Sequence, residues 1–337
     1  MDRWKSADGP LVVAAVLGAF EHCGLNPLQQ SMFVAIAQGL YGVDVDPVVP
    51  DASAPSILPI PAAAFAEHAT PTVRRQAVSI MAVLEMAAHP LPRPMAAAVS
   101  RYAHALGVSL GTLAADRARA RKHGAIMYAD LQRSSWYTKQ TVHGALHGHF
   151  LELAASKLSY AGVRRSPRVA EKWLALRDLP DGSWGRSVAD FYEANNFPFP
   201  GTPHGIYEIG AKHDFVHVLA HYGPTPEGEL DVFGFIATSM SPGEGMVLLA
   251  VAMALFQNGA IRHVAGKRVK IARSDTLTDP GAVDRFADAM RRGAATTVDV
   301  MGGIDHFALA PLPLDAVRER CGVLPPREPP AAGIDPT

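Results

Sequence analysis

The stretch His213-Asp214-Phe215-Val216-His217-Val218-Leu219-Ala220-His221-Tyr222-Gly223-Pro224-Thr225-Pro226-Glu227-Gly228-Glu229 places four metal-ligand side chains within seventeen residues. Those four are His213, Asp214, His217 and Glu229. Helical spacing runs up to His221 and Tyr222. Gly223-Pro224-Thr225-Pro226 then breaks the chain, since two prolines and a glycine cannot continue a helix. The reading is a helix over about 205–222, a tight turn, and a second helix over about 227–240 folded back antiparallel.

Helix geometry sets what this hairpin can do. His213 and His217 lie one turn apart on one face, about 6 Å from each other, a separation at which two imidazoles can share an ion. Asp214 is about 100° round the helix and joins at the edge of that face. Folded back, Glu229 stands opposite roughly residue 220, about one turn from His217. Two histidines with one or two carboxylates suit zinc, and also iron or manganese, and leave coordination positions open. His221 continues the i, i+4 series. Its place beside Tyr222-Gly223 points to a helix-end or solvent role.

Outward from the hairpin, the rest of the chain also reads as helical. Further helices are expected over about 11–22, 27–41, 72–88, 92–106, 110–133, 139–160, 186–195, 243–257 and 281–292, with a short one over Leu314–Arg320. β-branched and aromatic alternation is scarce. The fold class is therefore all-α and multi-helical. Residues 46–62 hold five prolines and are expected as a loop. A second break falls near Arg164-Arg165-Ser166-Pro167. It divides an N-terminal helical region, 1–160, from a metal-binding helical domain, 165–323. Residues 324–337 are expected as a disordered tail.

Composition narrows the function classes. Of 337 residues, 31 are Lys or Arg and 32 are Asp or Glu, for a net charge of -1. That balance gives no electrostatic case for nucleic acid. The two cysteines, Cys23 and Cys321, are far apart, which argues for a reducing, cytoplasmic setting and against a cysteine-based zinc site. The first residues show no signal-peptide pattern. The longest apolar run, Met246–Phe256, is too short to span a membrane, which takes roughly 20 residues. It reads as a buried core helix, with a lipid-pocket wall as the second reading. Peripheral membrane contact stays open.

Three lesser features carry less. His143, His147 and His149 share helical spacing but have only Glu152 nearby, so surface or interface histidines are expected. The run Arg117-Ala118-Arg119-Ala120-Arg121-Lys122 reads as a solvated face, with anionic lipid headgroups the functional alternative. Asp305-His306 could supply a remote ligand.

The metal motif and its flanks resemble the coenzyme Q (ubiquinone) biosynthesis protein 4 family. Upstream, LPDGSWGRSVADFYEANNFPF, Leu179–Phe199, is similar to that family's Leu-Pro-x-Gly segment and aromatic-rich helix. Downstream, FADAMRRGAATTVDV and PLPLDAVRERCGV are similar to its closing segments. Asn26-Pro27-Leu28-Gln29-Gln30 faintly matches its first helix. The resemblance covers about 165–323. It implies an all-helical fold, a divalent metal, usually zinc, on His213, Asp214, His217 and Glu229, and an ordinary helix start at Asp305-His306. It also implies a place in quinone or prenyl-lipid biosynthesis, acting on a prenylated aromatic or isoprenoid lipid. Two roles go with it: oxidative decarboxylation of the ring, by a lyase or oxidoreductase, or a lipid-binding scaffold that organises other quinone-biosynthesis proteins. Peripheral contact with the inner face of the membrane and a homodimer fit the resemblance. The chain departs from the family core by some 160 preceding residues, of which 72–133 faintly resemble the tellurite-resistance B-like helical fold.

Overall fold

The computed structural model describes residues 4–45, 57–89, 91–109, 166–206, 208–241 and 275–327, with isolated positions between 245 and 268. The expected helices over 110–133 and 139–160, the 143–149 histidines, the 117–122 basic run, and Arg164 and Arg165 of the expected break lie outside those residues. So do 46–56 of the Pro-rich loop and 328–337 of the tail.

The described residues are mainly helical. The helices are α1 Gly9–Phe20, α2 Pro27–Tyr41, α3 Ala62–His68, α4 Pro71–Ala87, α5 Arg93–Ala105, α6 Pro167–Leu174, α7 Trp184–Ala194, α8 Glu208–Ala220, α9 Pro226–Ser239, α10 Ala282–Ala295, α11 His306–Leu309 and α12 Leu314–Cys321. Several start on one local device, a polar cap followed by proline. Asn26 caps α2 in a box with Gln29, and Thr70 and Thr225 cap α4 and α9. In each case the cap side chain accepts a backbone N–H that lacks an intrahelical partner, and the proline has no N–H to leave unpaired.

Several elements depart from expectation. Helix α3 follows directly on the Pro-rich stretch. A two-residue antiparallel ladder pairs His263 with Arg268 and Val264 with Lys267. The expected helix over 243–257 ends in a π-helical turn, Met253–Gln257. There the Gln257 amide donates to the Ala87 carbonyl and accepts from the Leu277 N–H. The described apolar positions of this run, Leu248, Leu249, Ala252, Met253 and Phe256, are buried, as a core segment should be.

Burial organises the helices into two hydrophobic clusters. One gathers α1–α5 with parts of α9 and α10, so helices on both sides of the expected boundary share it. The other surrounds α8 and takes its side chains from α6, α7, α9, α11 and α12. Phe233 on α9 packs against both. Helices α9 and α10 approach closely at Gly293, where an added Cβ would sit 2.0 Å from the Phe235 carbonyl oxygen.

The two flanks quoted for the resemblance are hydrogen-bonded to each other. Trp184 N–H donates to the Leu312 carbonyl, Gly185 N–H to that of Ala310, and Leu314 N–H to that of Gly182. At the chain's far end, Leu324 to Arg327, expected at the start of a disordered tail, are instead held on α10. The Leu324 carbonyl accepts from Arg292 Nε, and the Arg327 N–H donates to Asp288. A buried guanidinium with donors to spare supplies the partner that composition alone could not reveal.

Candidate metal centre

Helix α8 brings His213, Asp214 and His217 to one spot, where one ligand atom from each lies within 4.8 Å of the others. Glu229 closes it from the first turn of α9. Its Oε2 lies 3.6 Å from His213 Nε2 and its Oε1 lies 3.5 Å from His217 Nε2. Asp214 Oδ1 lies 3.3 Å from His213 Nε2. Two ligands on one tetrahedral ion with bonds of about 2.1 Å sit about 3.4 Å apart, so these separations match a shared cation.

The hairpin that delivers Glu229 depends on a close backbone approach. A Cβ on Gly228 would meet the Gly223 carbonyl oxygen at 1.9 Å. Thr225 caps the new helix through the Gly228 N–H at 3.1 Å. On the other side of the turn, His221 adopts the left-handed conformation, φ 65°. That lets the Tyr222 N–H donate back to the His217 carbonyl and end α8. The helix-end role expected of His221 is the one it has.

Both imidazoles are oriented by backbone carbonyls. His213 Nδ1 lies 2.6 Å from the Gly210 oxygen, and His217 Nδ1 lies 3.1 Å from that of Tyr222. A carbonyl accepts only from an N–H, so each Nδ1 carries a proton and each Nε2 is the atom turned toward the carboxylates. His217 Nε2 is buried with no hydrogen-bond partner. An orphaned, inward-facing lone pair among carboxylates is what a metal ligand without its metal looks like. The residues present therefore fit a metal ion.

Electrostatics agree. Burial pulls the His213 pKa down, but Asp214 and Glu229 outweigh it and push the pKa up to about 10. Burial raises the Glu229 carboxyl, yet His217 and His213 hold it well below the usual range. Asp214 is raised, chiefly by burial. A proton and a metal would compete for this field.

Aromatic rings wall the site. Phe191 stacks on His217 at 5.6 Å and Phe233 stacks on His213 at 5.5 Å. The His217 side chain is 0% exposed, whereas His213 and Glu229 are 13% and 17% exposed. The centre is thus sealed at the His217 end and least buried on the His213 and Glu229 side.

Three of the expected ligands, His213, Asp214 and His217, form a group that could hold a metal ion, and the fourth, Glu229, lies beside both histidines. Four supporting residues were not anticipated. Tyr192 donates to Asp214 Oδ2 at 2.5 Å. Tyr222 offers its carbonyl to His217, Arg292 braces the end of α8, and Gly228 closes the turn. Only Gly228 had a local signal, a glycine in the first turn of a proline-started helix. Asp305 caps α11 through the Phe307 and Ala308 N–H groups, as a helix start should. His306 is buried away from the cluster, against Trp184 and Phe215.

No known family's model and no curated protein matches the chain. Among the described residues, no helix is long and apolar enough to cross a membrane.

Proposed function

We propose that the chain is a metal-dependent enzyme of quinone or prenyl-lipid biosynthesis that acts on a prenylated aromatic ring. One observation carries the metal half of this reading: His213, Asp214 and His217 offer ligand atoms within 4.8 Å of one another, and the Glu229 carboxylate reaches both imidazole Nε2 atoms at 3.5–3.6 Å. The lipid half rests on the resemblance to the ubiquinone biosynthesis family. The segments that carry that resemblance pair with each other, Gly182–Gly185 with Ala310–Leu314.

His213, Asp214, His217 and Glu229 would hold the cation, zinc first, with iron and manganese also suited to this donor set. When bound, the cation supplies a Lewis acid for a ring carboxylate or phenolate. The chain's own groups do the rest. Gly210 and Tyr222 keep both imidazoles in one tautomer. Phe191 and the buried His217 end exclude water from one side. Glu229, at 17% the most exposed of the four side chains, marks the edge at which a ligand would reach the cation. Phe233 offers an aromatic surface at the same edge.

Metal analysis of the purified protein, with His217→Ala alongside, tests the first step. Stoichiometric metal in the wild type and none in the variant is the expected result. Metal that is sub-stoichiometric and equal in both would overturn it. Mass spectrometry of copurified small molecules tests the substrate class. Recovery of a prenylated aromatic is expected, and only polar metabolites would count against it. The scaffold reading is separated by complementing a quinone-deficient strain with Glu229→Ala. Restored quinone in that variant would favour a scaffold over an enzyme.

A further inference from the structure

We infer that Tyr192 is a positioning residue of this metal centre: it makes Asp214 a one-oxygen ligand and so biases the site toward a small first-row cation. The inference rests on the metal reading above.

Tyr192 belongs to α7, 22 residues before Asp214, and is 1% exposed. Its hydroxyl donates to Asp214 Oδ2, while Oδ1 faces His213 Nε2 at 3.3 Å. The two oxygens of one carboxylate thus have separate tasks. The ring cannot swing away. It is packed at 4.9 Å from Phe199, 5.7 Å from Trp173 and 6.0 Å from Phe197. The hydroxyl is therefore held where it is by four aromatic neighbours, Phe191 included.

Tyr192 completes a pattern. His213 is fixed by the Gly210 carbonyl and His217 by that of Tyr222. Asp214 is the third α8 ligand, and Tyr192 is its counterpart to those carbonyls. Groups that orient ligands in this way are worth about 10–100-fold in metal affinity. The choice of cation follows from denticity. Calcium takes six to eight oxygens and often both of a carboxylate, whereas zinc takes four ligands, one atom from each. With Oδ2 accepting from a fixed hydroxyl, Asp214 is biased to turn Oδ1 alone toward the cation. Removing the hydroxyl frees Oδ2 and lets the carboxylate rotate.

The test uses full-length wild type, Tyr192→Phe and Phe199→Leu, stripped of metal and titrated with cobalt(II), alone and against calcium. Cobalt reports its coordination through its visible absorption. The expected result is cobalt binding about 10–100-fold weaker in Tyr192→Phe, with an altered spectrum and a smaller preference over calcium. Phe199→Leu loosens the same ring packing but keeps the hydroxyl, and should retain the wild-type spectrum. Wild-type affinity and spectrum in Tyr192→Phe would overturn the inference while leaving the metal centre intact. Equal losses in both variants would also overturn it, because Tyr192 would then matter only for packing. A wild type that binds neither cobalt nor zinc would overturn the metal reading itself.

Discussion

The Tyr222 carbonyl oxygen sits 3.1 Å from His217 Nδ1, so the residue that ends α8 also orients the ligand five positions before it. The same Tyr222 receives Arg292 on its hydroxyl at 2.6 Å. The helix end, the ligand and a buried arginine on α10 form one connected unit.

The unit predicts a metal-linked stability that a single ligand controls. Binding to the folded state alone stabilises by about 2.7 kcal/mol at a free metal concentration one hundred times Kd. Thermal melts with zinc and with chelator should differ by that order for the wild type. For His217→Ala the two melts should coincide. A metal-dependent shift that survives in the variant would place the cation elsewhere.

The turn should be equally demanding. Gly228→Ala drives a methyl against the Gly223 carbonyl, which must move by more than an ångström. We expect a loss of about 1–3 kcal/mol in urea unfolding. Metal affinity should fall with it, because Glu229 is the next residue. Unchanged stability with full metal content would show that the hairpin has slack.

Arg292 and Arg318 both brace the end of α8 and separate by burial. Arg292 is 2% exposed and donates to the carbonyls of Ala220 and Leu324 and to the Tyr222 hydroxyl. Arg292→Leu strands those buried acceptors and should cost about 3 kcal/mol or more. Arg318 serves the Leu219 and Val218 carbonyls from a part-exposed position. Arg318→Leu should cost about 1 kcal/mol, since water can replace it. Urea unfolding of the two variants checks the order.

His306 predicts an acid-side loss of stability. It is 1% exposed, and neither ring nitrogen makes a hydrogen bond of ordinary geometry. Burial first, and then Lys212, pull its pKa down from 6.5 to about 4 against a weaker pull from the Val300 backbone. The unfolded chain therefore binds the proton more readily than the folded one. Stability from this residue is complete above about pH 6.5 and drains as pH falls toward 4, by about 3 kcal/mol in total. Unfolding measured across that window with chelator present should show a steeper loss for the wild type than for His306→Phe. Equal slopes would mean that His306 is not the titrating group.

Much of the helical layout was legible because its signals are local. Asn26-Pro27, Thr70-Pro71 and Thr225-Pro226 each combine a cap with a proline that only a helix start accommodates. The observed bounds of α2, α4, α5 and α9 fall within a residue of those expected. The π-helical end at Gln257 was not legible. Its cause is a side chain reaching Ala87 and Leu277, which are remote in sequence. The anchoring of Leu324 failed for the same reason, because its partner Arg292 is 32 residues away.

The four ligands divide in the same manner. Spacing of one helical turn aligned His213 with His217, and a two-proline turn returned Glu229 toward them. Those are short-range facts, set by chain geometry and readable from residue order. Contacts brought from α7 and α10 decided the remainder: which Asp214 oxygen faces inward, and what braces the helix end whose carbonyl orients His217. Those depend on tyrosine and arginine groups brought from 22 to 72 residues away. Such partners are chosen by the fit of buried surfaces rather than by any pattern along the chain, so they appear only once the helices are packed.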